Sequence, residues 1–190
     1  MSGSEEASLR KSNEEAAETR RAIVAAAADY IRRTGIAEAS LSDVMAAAGL
    51  THGGFYKHFR NREQLIAEAL VAAGNASADM LGKVRAEKGR NAALDRYLSP
   101  EHRDAGTPTC PMAALGSEAA RSSGKTRAAA VAVVEEMIDA LAEDRFSGEA
   151  RGEAMVDYAT MIGAMTLARI ASGTPLSEEI LERARKRLRR

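Results

Sequence analysis

The sequence has little cysteine, few aromatic residues and no long apolar run, and each of these shortages excludes or disfavours a class of protein. A single cysteine among 190 residues excludes an internal disulfide framework and a cysteine-rich zinc site. Tryptophan is absent, and only three phenylalanines, four tyrosines and four prolines are present, which disfavours a sheet-rich fold. No apolar run reaches the roughly 18–20 residues that span a bilayer, and residues 1–18 lack the apolar segment of a secretory signal. We therefore expect a soluble, cytoplasmic protein.

The residues that are abundant favour helices. The chain contains 40 alanines, and alanine has the highest helix propensity. Apolar residues recur at helical spacing and predict helices at 18–34, 41–48, 52–58, 62–87, 89–98, 111–121, 125–143, 147–172 and 175–189, with a breaker-rich loop at 99–111. Residues 1–17 are polar and are predicted to form a disordered arm. The predicted fold class is all-α.

The charges balance over the whole chain but not along it. Lys and Arg number 27, as do Asp and Glu, and a net charge of zero argues against a basic nucleic-acid binder. Residues 19–62, however, contain 7 basic and 3 acidic residues, whereas residues 63–182 contain 12 and 19. The last eight residues, 183–190, contain six basic residues and no acidic one. A locally basic segment therefore keeps nucleic-acid binding possible.

Two short predicted helices, 41–48 and 52–58, are joined by a tight turn at Gly49-Leu50-Thr51. This spacing is typical of a helix-turn-helix, whose second helix lies in the major groove of DNA. Six apolar residues are expected to form the small core beneath it: Leu41, Val44, Met45, Leu50, Phe55 and Phe59. The spacing alone leaves an ordinary helical hairpin as the alternative.

The residues themselves favour the first interpretation. The stretch ASLSDVMAAAGLTHGGFYKHFRNREQLIAEAL resembles the N-terminal DNA-binding domain of TetR-family transcriptional regulators, and the match covers about residues 18–70. The resemblance implies a three-helix, helix-turn-helix DNA-binding domain at 18–64, followed at 65–190 by a C-terminal helical ligand-binding and dimerisation domain. It also implies a repressor that binds a near-palindromic DNA operator as a homodimer and is released by a small-molecule ligand.

The resemblance assigns nine residues to the DNA interface. The positions that match phosphate contacts are Ser42, Tyr56, His58 and Arg62, and Thr51 matches the cap of the recognition helix. The positions that match those facing base edges are His52, Gly53 and Gly54, and Lys57 is expected to reach the groove or a phosphate. Packing against the core is the alternative for His58. Family members often have Thr, Ser or Ala where Gly54 stands. Either the backbone approaches DNA unusually closely, or readout depends on His52, Lys57 and DNA shape.

The C-terminal domain holds the candidate ligand-binding residues. They are apolar or weakly polar: Leu94, Tyr97, Leu98, Cys110, Met112, Leu115, Met137, Met161 and Met165. Methionines adapt to irregular apolar ligands, although ordinary core packing is the alternative for each. Cys110 precedes a helix and resembles a cysteine of some TetR-like regulators that respond to electrophiles or oxidants. A secondary hypothesis is therefore that Cys110 senses oxidants; a buried or capping cysteine is the alternative.

No motif of an enzyme is present. The three histidines, His52, His58 and His102, do not form a metal-ligand pattern with acids or cysteine, and no P-loop, GxSxG or GxGxxG stretch occurs. We expect no enzymatic activity, no metal and no cofactor. The alternative function is a helical protein–protein interaction module that keeps the fold without reading DNA sequence.

Overall fold

The structure is a computed structural model that describes residues 3–142, 144 and 146–189, with side chains from residue 13 onward. Within these residues it contains helices and no strands, so the prediction of an all-α fold is confirmed. The α-helices are α1 (Gly3–Thr34), α2 (Leu41–Ala47), α3 (Arg62–Lys88), α4 (Arg90–Tyr97), α5 (Pro100–Arg103), α6 (Pro111–Arg121), α7 (Gly124–Leu141), α8 (Gly148–Ile170) and α9 (Pro175–Leu188). None of these helices is long and apolar enough to cross a membrane.

Helix α1 begins at Gly3, well before the predicted start at residue 18. The prediction of a disordered arm is wrong for residues 3–17, and residues 1–2 lie outside the described part. Alanine and glutamate make up 7 of the 15 residues of this segment, and both have high helix propensity. Residues 13–18 are exposed. Residues 13–17 therefore extend α1 by helix propensity rather than by packing, and a search for an apolar face does not detect such an extension.

The N-terminal part of the chain, residues 18–64, will be called the head. Ile23 and Ile31 of α1 are fully buried together with Met45 of α2 and Phe55. Ser40 caps α2, since its hydroxyl accepts a hydrogen bond from Asp43 N at 3.1 Å. These contacts stabilise short helices that would not form alone.

A sharp turn follows α2 at Gly49, whose φ is 71°. This left-handed conformation is open to glycine and strained for most other residues. The turn directs the chain into a 3₁₀ helix (His52–Lys57), which will be called the recognition segment. The predicted turn at residues 49–51 thus lies where the sequence placed it.

Helix α3 connects the head to the rest of the chain, residues 65–190, which will be called the body. Asn61 caps it by accepting from Gln64 N at 2.9 Å, and its 27 residues give a length of about 40 Å. The helix packs against α7 most closely at Gly74, where an added Cβ would lie 2.5 Å from Cγ2 of Val133. The absence of a side chain at Gly74 therefore sets the approach of these two helices.

The body surrounds one buried cluster formed by residues of α3, α4 and α6–α9. Arg85 of α3 closes the C-terminal end of α7 by donating to the carbonyls of Ala140 at 2.7 Å and Ala142 at 2.6 Å. The predicted loop at 99–111 is wrong in one part, because Pro100–Arg103 form the short helix α5. Ser99 caps α5 by accepting from His102 N at 3.1 Å, and Pro100 suits its first turn.

Three hydrogen bonds join the head to α6, α7 and the segment before α6. The carboxylate of Glu118 on α6 accepts from Ala37 N at 2.9 Å, in the connection between α1 and α2. Glu63 at the start of α3 accepts from Lys125 N at 2.8 Å. Arg32 of α1 donates to the carbonyl of Thr109 at 3.3 Å. The orientation of the head therefore depends on the position of α6.

Candidate functional site

The recognition segment is a 3₁₀ helix rather than the short α-helix predicted at 52–58. Gly54 N donates to Thr51 O at 3.0 Å, and His58 N donates to Phe55 O at 2.9 Å, both with the three-residue spacing of a 3₁₀ helix. Two adjacent glycines weaken α-helix formation by about 1 kcal/mol each relative to alanine. Thr51 occupies the predicted capping position, but its side chain makes no capping hydrogen bond.

The outer face of the recognition segment is polar and open to solvent. Six of the nine predicted interface residues are exposed: Ser42, Thr51, His52, Gly53, Tyr56 and Lys57. Ser42 Oγ lies 3.4 Å from Nδ1 of His52, and the ring centroids of His52 and Tyr56 are 6.4 Å apart. The start of α2 and the recognition segment therefore present their polar groups on a shared face.

The opposite face fixes the segment to the head. Phe55 is fully buried, and its ring stacks on that of Phe59 with centroids 5.5 Å apart. Arg20 of α1 covers the Phe59 ring, with its guanidinium carbon 4.6 Å from the centroid. Arg20 also pairs with Glu68 at 2.6 Å, and this bond holds the pKa of the Glu68 carboxyl below its usual value. The recognition segment thus has one anchored face and one free face.

The two glycines of this segment are not required by packing within the chain. A Cβ added at Gly53 would meet no atom within 4 Å, and one added at Gly54 would make an ordinary contact with Met45 Cε at 3.9 Å. Neither glycine has a positive φ. The open space above Gly53 is therefore available to a partner molecule that approaches the backbone.

His58 and Arg62 lie differently from the other predicted interface residues. His58 is half-buried, its ring lies 6.4 Å from that of Phe59, and its carbonyl accepts from Arg20 Nε at 3.3 Å. Arg62 donates through Nε to Ala39 O at 2.9 Å and through a terminal nitrogen to Ile36 O. Because these donors bind the connection between α1 and α2, the geometry favours a positioning role for Arg62 over the predicted phosphate contact. Sequence spacing could not show this, since both carbonyls lie more than 20 positions away.

All nine candidate ligand-binding residues of the body are buried. They are Leu94, Tyr97, Leu98, Cys110, Met112, Leu115, Met137, Met161 and Met165. None of the nine lines a surface groove of about 560 Å³ between α1, α3 and α7. A second groove, of about 260 Å³ between α6 and α7, includes Met112. The structure therefore brings the nine residues into one interior, without showing that they bind a ligand.

Around Cys110, this interior contains polar groups that sequence reasoning did not select. Cys110 is fully buried at the N-terminus of α6, with its Sγ 3.8 Å from Oη of Tyr158. Burial, together with the nearby thiol, raises the pKa of Tyr158. Arg169 of α8 donates to the carbonyls of His102 at 3.2 Å and Arg103 at 3.4 Å. An arginine within the largely apolar α8 is the signal that could have identified this cluster. Oxidant sensing by Cys110 stays a prediction.

Comparisons with known proteins agree with the architecture of the head. The profile of the family described as "Bacterial regulatory proteins, tetR family" matches residues 23–69. The HTH-type transcriptional regulator TtgR of Pseudomonas putida is 36% identical over 75 residues, which are 40% of this chain and 35% of that protein. The chain therefore spans about a third of the length of this relative.

Two similarities extend over most of the chain. An uncharacterized HTH-type transcriptional regulator of Mycobacterium tuberculosis is 34% identical over 177 residues, covering 83% of this chain and 88% of that protein. The crystal structure of the reduced form of NemR from E. coli is 25% identical and has a TM-score of 0.73, covering 90% of this chain and 95% of that one. The head and the body thus occur together in both proteins.

Proposed function

Because this chain belongs to the TetR family of bacterial transcriptional regulators, we propose that it represses transcription by binding a near-palindromic operator as a homodimer and that a small molecule releases it. Its relatives are DNA-binding transcriptional regulators and not enzymes. The observation that carries the proposal is the anchored recognition segment with its free polar face. This arrangement supports DNA reading over the alternative of an interaction module.

The DNA contacts follow from that face. Lys57 is exposed and donates to guanine or phosphate, whereas Tyr56, 68% exposed, donates its hydroxyl to a phosphate. His52 reads a base edge, and the bare backbone at Gly53 allows the segment to lie close to the groove. Ser42 and Thr51 supply further hydroxyls at the edges of the interface. The local surplus of basic residues in 19–62 strengthens these contacts.

The proposed homodimer uses the outer faces of α8 and α9. Large apolar side chains are exposed there, including Val156, Leu167, Ile170 and Leu176, which are 64%, 55%, 78% and 56% exposed. Exposed apolar surface of this kind is unfavourable in water and is typical of a protein interface. Gly163 and Ala164 lie in the groove between the two helices and allow a second copy to approach closely. Symmetric pairing would place two recognition segments about 34 Å apart, or one turn of DNA.

The proposed release acts through the contacts between α6 and the head. A ligand that shifts α6 moves Glu118, which binds Ala37 N, and the segment containing Thr109, which binds Arg32. Two heads that move in this way no longer match the spacing of two successive major grooves. The ligand releases the protein from DNA to the extent that it binds this second arrangement more tightly.

The test combines mass measurement with operator binding. Operators are first selected from random DNA, and the full chain is then tested for binding to the selected palindrome in gel shifts at several salt concentrations. We expect a dimer by analytical ultracentrifugation and binding to the palindrome at least about 10³-fold tighter than to random DNA.

A variant at the proposed dimer interface, Ile170→Glu, should yield a monomer with weak DNA binding. Val131→Glu, at an exposed apolar position in the groove between α6 and α7, is the matched control and should remain dimeric. A monomeric wild type, or equal affinity for random DNA, would refute the proposal.

A further inference from the structure

Arg169 is a half-buried cation in the body with no carboxylate partner among the described residues. Its Nε and one terminal nitrogen donate to the carbonyls of Arg103 and His102. Its other terminal nitrogen is shielded from solvent and has no hydrogen-bond partner in the described part of the chain. Guanidinium groups removed from water are normally paired with an anion, because an isolated buried charge is strongly unfavourable.

Three more shielded side-chain atoms form no geometric hydrogen bond within the described part of the body. They are Oη of Tyr97, Oγ1 of Thr109 and Nε2 of His102. The rings of Tyr97 and His102 lie edge to face with centroids 4.7 Å apart, and only 1% and 5% of these residues is exposed. Thr109 directly precedes Cys110, whose thiol is a weak partner of the Tyr97 hydroxyl and lies near the guanidinium of Arg169. Native interiors contain few polar atoms without a good partner, so the donors of Tyr97, Thr109 and Arg169 indicate a site that an acceptor completes.

The neutral groups of this cluster leave its positive charge uncompensated. Burial raises the pKa of Tyr97 well above its ordinary value and, together with Arg169 and Arg96, lowers that of His102, so both are neutral near pH 7. His102 Nδ1 lies 2.5 Å from the carbonyl of Tyr97, an acceptor, and therefore carries the ring hydrogen. The neighbouring acids Asp104 and Glu178 are bound by Arg103. A complementary ligand is thus an anion that accepts hydrogen bonds.

The surroundings of the cluster define the rest of the ligand. Leu94, Leu98, Met161 and Met165 are buried in the same body interior, at most 1% exposed. Methionine side chains rearrange at low cost around an apolar group. The ligand that fits this combination has one anionic end and a small apolar remainder.

We propose that Arg169, Tyr97 and Thr109 bind the carboxylate of a small organic acid whose apolar part lies among the buried methionines of the body. This inference rests on the proposed function, since it names the class of molecule that releases the protein from DNA. The site is linked to the head directly, because the carbonyl of Thr109 accepts from Arg32 of α1. A carboxylate that draws Thr109 towards Arg169 therefore acts on the contact that orients α1.

The test uses hexanoate and benzoate as probes, each compared with its neutral amide at constant ionic strength. Thermal shift and titration calorimetry on the full chain should show millimolar or tighter binding of the acids and no binding of the amides. Arg169→Gln and Tyr97→Phe should each weaken the binding of the acids about tenfold or more, because the first removes the positive charge and the second removes a hydroxyl donor. Tyr97→Phe keeps the buried ring, so the variant should fold, and Tyr30→Phe on the head is the matched control that should bind as the wild type does.

Three outcomes decide against the acid site. Equal binding of acids and amides would show that no cation is used, and undiminished binding of the acids to Arg169→Gln would place them elsewhere. Failure of both acids to bind the wild type would also overturn the proposal. Operator binding by the ligand-free protein is measured separately, so a protein that binds its palindrome but no acid refutes only the acid site. A protein that binds acids but no palindrome refutes only the proposed function.

Discussion

The head and the body of this protein differ in the exposure and the hydrogen-bond partners of their polar side chains. In the head, the polar groups of the recognition segment face solvent, while Arg20 and Arg62 have partners that fix the segment in place. In the body, Tyr97 and Arg169 have buried atoms for which the described residues supply no partner. We therefore propose that the head is an anchored surface that contacts DNA, whereas the body interior is completed by a small molecule. The following predictions test this contrast, beginning with the largest effect.

The head should depend on its anchored face far more than on its free face for stability. Phe55→Ala removes a fully buried ring that stacks on Phe59, and we expect it to lower the free energy of unfolding by about 3–5 kcal/mol. Tyr56→Ala, at the neighbouring exposed position, should change it by less than about 0.5 kcal/mol. Urea unfolding followed by circular dichroism measures both. Equal losses would show that the recognition segment is not anchored as described.

The anchored head was largely predictable from sequence because its signals are local. Ser40 and Asn61 each precede the helix that they cap by one residue, and such a polar residue before an apolar periodic segment can be read from the sequence alone. The turn at Gly49 likewise depends on one residue's freedom to adopt a positive φ. The 3₁₀ form of the recognition segment was not predicted, because the preference of Gly53-Gly54 is weak and the packing of the following residues decides it.

The body interior was less predictable because its contacts join distant parts of the chain. The nine candidate ligand-binding residues are all buried, and their binding of a ligand stays a prediction, since apolar periodicity indicates burial without indicating partners. The unpartnered atoms of Tyr97, Thr109 and Arg169, by contrast, come from α4, the segment before α6 and α8. Only the fold brings these three together, and no spacing in the sequence signals it. The inward direction of Arg62 escaped prediction for the same reason.

The free face of the head should govern DNA affinity without affecting folding. Lys57→Ala removes an exposed cation from the recognition segment, and we expect operator binding to weaken by about 1–3 kcal/mol. Lys83→Ala removes an exposed lysine from the body on α3 and serves as the matched control, with unchanged affinity expected. Gel shifts with the selected operator measure both variants. Unchanged affinity for Lys57→Ala would remove this residue from the interface.

The link between the two regions should have an intermediate effect. Glu118 accepts from Ala37 N at 2.9 Å, so Glu118→Ala leaves that amide without its partner and loosens the head against α6. We expect operator affinity to fall by about 0.5–1.5 kcal/mol, the usual contribution of one hydrogen bond. Glu118→Gln keeps an acceptor oxygen and should retain most of the affinity. If Ala and Gln variants bind alike, the bond does not orient the head.

The smallest predicted effect is a change in how stability depends on pH, and it concerns a histidine in the body interior. Burial, with the nearby Arg169 and Arg96, lowers the pKa of His102, and its bond to the Tyr97 carbonyl only partly opposes this. As pH falls through about 6.5, His102 gains a proton in the unfolded chain before it does so in the folded one. The unfolded state then binds more protons, so stability must decrease as pH falls below that value. Urea unfolding of wild type and His102→Asn at pH 7.5 and pH 5.5 should show a smaller loss in the variant. An identical loss in both would mean that His102 is hydrated in solution, and the interior would then resemble the open surface of the head.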